Sequence, residues 1–215
     1  MTDARPCEGR VTACVFDFGG VMTPSLMPEL VRPIVAELGV DWNDVVSGYA
    51  RHRRLMDGDM ITMEEMYRRI WAEIGLELSP ADLERIVAAD RESFIARDEG
   101  TLSFMRALKS RGYGIGILTN MPTSFAPYFR RVFADYVALA DAVVISGEVH
   151  LFKPMREIYD LTKERMGRPA GELCFFDDVE ANCQGARDAG WHAIRFLSSV
   201  QAGRDFDLLV AGGAS

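Results

Sequence analysis

Three carboxylates stand where apolar runs end: Asp17 closes VTACVFD, and Asp177-Asp178 follow LCFF. A hydroxyl–amide pair, Thr119-Asn120, follows a further run, YGIGIL at 113–118. Lys153 comes a few residues after AVVI (142–145), in SGEVHLFKP, immediately before Pro154. Like charges in one crevice repel and raise each other's pKa unless a cation stands among them. Mg²⁺ relieves that repulsion, takes one or two carboxylates, and keeps positions open for phosphate oxygens. Lys153 adds a second positive charge; at a helix start it is mildly unfavourable against the dipole, which favours a role beyond a solvated surface. Singly, each residue has a plainer reading. An Asp after a strand is a common turn residue, and a double Asp ahead of a helix serves as an N-terminal cap. Only convergence makes them a site.

The elements that must bring them together follow from periodicity. Residues 11–17, 113–118, 142–145, 173–176 and 191–196 are short apolar runs that read as buried strands. Helical stretches are expected at 123–135, 154–166 and 180–189, and a polar tail after 196. Strands alternating with such helices indicate an α/β fold, a doubly wound parallel sheet with helices on both faces. Such sheets bind ligands outside the carboxyl ends of their strands, where the polar residues fall. From about 26 to 95 there is no strand signal. Asp41 with Asp44, Thr62 with Glu65, and Ser79-Pro80 with Asp82 read as helix N-termini. Gly39, Gly75 and Gly112 read as left-handed helix ends. The expected organisation is an α/β core of 1–22 plus 98–215 and an inserted all-helical cap of 23–97, with linkers near 20–26 and 95–101.

Composition narrows the partners. The 215 residues carry 24 Lys+Arg against 32 Asp+Glu, a net charge of −8, and 48% are hydrophobic. An acidic chain argues against sequence-independent nucleic-acid binding, and the apolar content excludes wholesale disorder. No apolar run nears the roughly 20 residues of a membrane span, and MTDARPCEGR lacks a signal peptide's apolar stretch. Cys7, Cys14, Cys174 and Cys183 show no metal or redox spacing, so reduced thiols and a cytoplasmic setting are expected. Gly112, Gly114 and Gly116 form a superficial GxGxG, but before and within a strand, so a dinucleotide site is rejected.

The stretches VFDFGGVM, ILTNM, FKP and FFDDVEAN, in that order, closely resemble the four motifs of the haloacid dehalogenase-like (HAD) superfamily. Thr119 lies 102 residues after Asp17, Lys153 a further 34, and Asp178 a further 25, which fits an inserted cap. DGDMITMEEMYRRIWAEIG is similar to a cap segment of members that include sugar-phosphate phosphatases. The resemblance implies that Asp17 is a nucleophile forming an aspartyl-phosphate. It implies that Thr119 binds the phosphoryl group with Asn120 beside it, and that Lys153 neutralises charge. Mg²⁺ is then held by Asp17, the Gly19 carbonyl and Asp178, with Asp177 nearby, and Asn182 braces the acidic loop. A small phosphorylated metabolite, handled by a monomer or homodimer, is the implied partner.

The sequence departs from the family pattern at Gly19, where phosphatases usually carry a second Asp that protonates the leaving group. General acid–base catalysis contributes roughly 10²–10⁴-fold, so turnover is slower, the leaving group needs little help, or another group substitutes. Haloacid dehalogenases also lack that Asp, but their DxYGT pattern is absent from Asp17-Phe18-Gly19-Gly20-Val21. The acidic pair also suits a metal better than a metal-free site. A non-catalytic phosphate-binding module is the third reading.

In the cap, Arg51, His52, Arg53 and Arg54 form the only dense basic run, read mainly as a solvated helix end; one of them pointing at an anionic leaving group is the sharper alternative. His150 reads as a surface loop residue, although its proximity to Lys153 makes it a conceivable acid. Met56, Met60, Met63 and Met66 read as packing residues.

Overall fold

Strand β1 (Ala13–Phe16) is buried at every residue, and its side chains alternate between two apolar layers. Cys14 and Phe16 join one cluster, Ala13 and Val15 the other, as the two-residue period of a strand requires. Such a strand belongs at the centre of a sheet covered on both faces. A computed structural model describes residues 11–24 and 27–212. Cys7, the rest of MTDARPCEGR, and Ser25-Leu26 of the first linker lie outside the described residues.

β1 pairs in parallel with β2 (Gly114–Thr119) and β4 (Leu173–Asp177); β3 (Ala142–Ile145) flanks β2 and β5 (His192–Arg195) flanks β4. The order β3-β2-β1-β4-β5 is the doubly wound sheet expected from the alternation. Phe16 stands opposite Phe176 and the rings stack with centroids 4.8 Å apart.

The stretch between β1 and β2 holds α1 (Arg32–Glu37), α2 (Trp42–Asp57), α3 (Met63–Glu73) and α4 (Pro80–Ser93), ahead of a further helix that leads into β2. The expected caps form, with Asp41, Thr62 and Ser79 side chains accepting from the amides of Asn43, Glu65 and Asp82. The apolar faces of these helices make their own cluster, including Val45, Tyr67, Ile70, Trp71 and Ile86. Gly48 is where α2 touches α3: a Cβ there would sit 2.8 Å from Ile70 Cγ1. Met66 is in this cluster, whereas Met60 is exposed rather than packed.

The remaining elements are α5 (Glu99–Ser110), α6 (Ala126–Val132), α7 (Ala134–Val137), α8 (Ser146–Val149), α9 (Arg156–Met166), α10 (Glu180–Asp188) and α11 (Ser199–Gly212). Three differ from the sequence reading. The helix expected over 123–135 breaks at Phe133, whose fully buried ring packs against Phe18 and Phe129. The helix expected from 154 begins at Arg156: the Lys153–Pro154 peptide is cis and Met155 is the extended N-cap. The polar tail is the helix α11, held by Ala202 and Phe206, four residues apart, with Phe206 against Tyr113 and Phe176. No described helix is long and apolar enough to cross a membrane.

Candidate active site

The sheet reverses its winding at β1: β2 and β3 lie to one side, β4 and β5 to the other. Crevices open at such switch points, beyond the carboxyl ends of the strands. Asp17 follows β1, Thr119 ends β2, and Asp177 ends β4 with Asp178 next in the chain. Lys153 enters from the loop between α8 and α9. It is only 2% exposed, which disposes of the surface-lysine reading. Its Nζ lies 2.7 Å from Asp17 Oδ1 and 2.6 Å from Asp177 Oδ2, with the Phe175 ring 5.2 Å away.

Oxygens of Asp17, Asp177 and Asp178 all lie within 4.8 Å of one another. Burial pushes Asp17 up to about 8; Lys153 pulls it back down and Asp177 adds to the rise. Burial also raises Asp178, followed by the charge of Asp177. Lys153 is pulled down by burial, but Asp17 and Asp177 outweigh that and raise it. With all three acids ionised, the one ammonium would leave about two negative charges for another cation to meet; without that cation Asp17 keeps its proton near neutral pH. An all-oxygen donor set of this kind suits a hard divalent ion such as Mg²⁺.

The three acids are not equivalent. Asp177 is wholly buried and saturated: it accepts from Lys153 Nζ, from the Val179 amide at 2.8 Å, and from Asn182 Nδ2 at 3.1 Å on both oxygens. Asp17 accepts from the Phe18 amide at 2.7 Å and opens, with half-buried Asp178, onto a cavity. Asn120 is occupied at both ends: Nδ2 donates to the Lys153 carbonyl at 3.1 Å and Oδ1 accepts the Lys153 amide at 2.8 Å. It therefore clamps the lysine's backbone, and its expected contact with phosphate is secondary to that.

The cavity, of about 280 Å³, has Asp17, Gly19, Thr119, Lys153 and Asp178 on the sheet side. Tyr49, Arg53, Arg54, Asp57 and Met63, with Asp90, close it from the inserted helices. Of the basic run, Arg51 and His52 both bond Glu73 away from the cavity. Arg53 Nε is 3.3 Å from Asp57 Oδ2, and exposed Arg54 lines the cavity. His150 is exposed in a left-handed turn and is not a cavity wall.

Two wall residues had no sequence signal as site residues: the buried acids Asp57 and Asp90. Burial lifts each to about 6, against Arg53 in the first case and the Tyr67 hydroxyl (2.6 Å) and Arg53 in the second. Nor did the sequence single out Ser146, whose hydroxyl donates to the Asp57 carbonyl at 2.5 Å and accepts the Met121 amide at 2.8 Å. A local pattern marks helix ends and faces; it does not mark which residue of the inserted helices meets which loop of the sheet.

Residues 11–190 match the sequence profile described as haloacid dehalogenase-like hydrolase. The chain is similar to the phosphoglycolate phosphatase of Escherichia coli strain K12, 32% identical over 119 residues, covering 52% of this chain and 46% of that protein. The chain thus spans about half the length of the curated relatives it matches first. Among solved structures it resembles the HAD family enzyme BT-2542 of Bacteroides thetaiotaomicron, described in complex with magnesium and inorganic phosphate. There the TM-score is 0.67 at 21% identity, covering 86% of this chain and 93% of that one. A dehalogenase with an intermediate complex has the same TM-score, 0.67, at 20% identity, covering 86% of this chain and 84% of that one. At these identities the structural likenesses speak to fold alone, while the profile covers most of the sequence. The chain belongs to the haloacid dehalogenase-like hydrolase family.

Proposed function

We propose that the chain hydrolyses a small phosphate monoester with Mg²⁺, through an aspartyl-phosphate on Asp17. The observation that carries this reading is the charge count at the switch point: three converging carboxylates, one buried ammonium, and an adjoining cavity. Phosphoryl transfer depends mainly on positioning and charge neutralisation, and that arrangement supplies both. Asp17 attacks phosphorus; Thr119 donates its hydroxyl to a phosphoryl oxygen; Lys153, fixed by Asn120, offsets charge on nucleophile and phosphoryl group. Asp17, Asp178 and the Gly19 carbonyl are the residues that would hold the ion, with Asp177 acting behind them because its oxygens are already engaged. When bound, the ion offsets the carboxylates and the phosphoryl oxygens together.

In this reading residues 23–97 form a cap over a core of 1–22 plus 98–215, and the cap excludes water during transfer. A cytoplasmic monomer or homodimer is the proposed setting, compatible with the buried free thiols of Cys14, Cys174 and Cys183.

The test is phosphate release from p-nitrophenyl phosphate. Release is expected with Mg²⁺, lost in EDTA, and restored by excess Mg²⁺; an undiminished rate in EDTA removes the metal from the reading. Chloride release from 2-chloropropionate without metal would instead support the dehalogenase chemistry of one structural neighbour.

Arg54 tests the cap's part in substrate choice. Relatives named for phosphoglycolate handle a carboxylate-bearing ester, and Arg54 is the cavity-facing arginine without an ion pair among the described residues. Arg54→Ala is expected to raise KM for phosphoglycolate about tenfold, or ~1.4 kcal/mol, and that for p-nitrophenyl phosphate by no more than about twofold. Equal effects on both esters would count against a reading of the carboxylate.

A further inference from the structure

Resting on the phosphatase reading, we propose that Asp57, supplied by the inserted helices, is the acid–base residue that stands in for the carboxylate missing at Gly19. Gly19 lies on the cavity wall, is not left-handed, and has nothing within 4 Å of where a Cβ would stand. The place of the usual acid is therefore open space beside the nucleophile. Asp57 lines the same cavity from above and is 6% exposed.

Its position is fixed by the core rather than by the cap alone. The Asp57 carbonyl accepts from the Ser146 hydroxyl, whose own oxygen accepts the amide of Met121, two residues beyond Thr119. A Cβ on Gly58 would lie 3.5 Å from Phe152, the neighbour of Lys153. The Asp59 carboxylate, one residue further, accepts the Thr123 amide at 2.9 Å. The turn 57–59 is thus docked onto the loops that carry Thr119 and Lys153.

The other ionisable groups on the cavity wall are less suited. Asp90 is tied into the helical cluster by the Tyr67 hydroxyl. Asp178 and Asp17 belong to the carboxylate cluster. His150 does not reach the cavity. Arg53 holds the Asp57 carboxylate in place from one turn earlier in the same helix. Burial lifts that carboxyl to about 6 even so, close to where a group that both gives and takes protons should titrate.

The chemistry balances without any further reagent than water. As Asp17 Oδ bonds to phosphorus, the bond to the leaving oxygen breaks, its electron pair stays on that oxygen, and the Asp57 proton joins it to release the alcohol. Asp57, now ionised, takes a proton from water as the water oxygen bonds to phosphorus. The bond from phosphorus to Asp17 breaks, its pair returns to the carboxylate, inorganic phosphate departs, and Asp57 is protonated again.

The two half-reactions give Asp57→Asn a signature that a structural role lacks. With p-nitrophenyl phosphate, whose leaving group needs little protonation, the variant is expected to give a stoichiometric burst of nitrophenolate. Steady turnover then falls roughly 10²–10⁴-fold, with phosphate trapped on the protein. With an alkyl phosphate such as glycerol phosphate, no burst should appear. Gly19→Asp added to Asp57→Asn is expected to recover at least tenfold of the steady rate. Unchanged steady rates in Asp57→Asn, or slowing of the first step alike for both esters, would overturn the assignment. Independently of any variant at 57, wild-type single-turnover rates should depend shallowly on leaving-group pKa, and a steep dependence would overturn it equally. Wild-type protein that releases no nitrophenolate with Mg²⁺ would instead remove the phosphatase reading itself.

Discussion

Asp17→Asn is expected to abolish phosphate release, by roughly 10⁴-fold or more as for other lost nucleophiles, while the protein without metal stays folded and is no less stable at pH 8. The first half follows because an amide oxygen does not attack phosphorus. The second follows from linkage. The folded-state pKa of Asp17 is raised to about 8, above a usual value of about 3.9. The folded protein therefore holds that proton more tightly than the unfolded chain does. Stability associated with this group falls as pH climbs through the window from about 4 to about 8. An asparagine carries no charge to desolvate, so the fall disappears with it. The variant keeps an acceptor for the Phe18 amide, and Lys153 keeps Asp177. Thermal unfolding in EDTA at pH 5 and pH 8 checks the sign: the variant should gain on wild type at the higher pH. Mg²⁺ should raise the wild-type Tm and raise that of the variant much less. Retained phosphate release would remove Asp17 as nucleophile. A drop of more than about 5 °C at pH 8, corresponding to ~1–2 kcal/mol for a chain this size, would make the carboxylate a structural one.

What made Asp17 legible beforehand was its contrast with its surroundings. A strand buried on both faces reads as an unbroken apolar run, so the first polar residue after it is conspicuous, and parallel topology sends all such residues to one edge. Thr119, Asp177 and Asp178 were found in the same way, and they do meet Asp17 and Lys153 at that edge. The helix caps were equally readable, because Asp41, Thr62 and Ser79 act on amides two or three residues away. Features that depend on distant contacts were not. α11 looked like a polar tail because only Ala202 and Phe206 of its 14 residues are buried. Nothing local shows that Asn120 spends its amide on the Lys153 backbone, or that Asp177 is filled by Val179 and Asn182. Asp57 and Asp90 reach the cavity only through the way the inserted helices settle on the core. Their sequence neighbourhoods are those of ordinary helix residues.

The buried ammonium gives the other large effect. Lys153→Met is expected to cost about 3–5 kcal/mol of stability, the range for removing one partner of a buried ion pair, and to eliminate turnover. Methionine keeps much of the stem's volume; what goes is the positive charge bonded to both Asp17 and Asp177. The three carboxylates then lack compensation, Asp17 and Asp178 lose the charge that holds their pKa values down, and the loss must grow as pH rises above about 4. Lys153 itself is raised above its ordinary value, so its own contribution persists through neutral pH and is lost only in strongly alkaline solution. Denaturant melts in EDTA should therefore show a larger deficit at pH 8 than at pH 5. Asp177→Asn offers the control, because the amide still accepts from Val179 while one of the stranded charges is gone. Added to Lys153→Met, it should return a good part of the stability at pH 8, with a coupling energy of about 1–3 kcal/mol in the double-mutant cycle. A deficit of the same size at both pH values, untouched by Asp177→Asn, would mean that the lysine is held for its shape, and that the charge balance around Asp17 is not what fixes this corner of the fold.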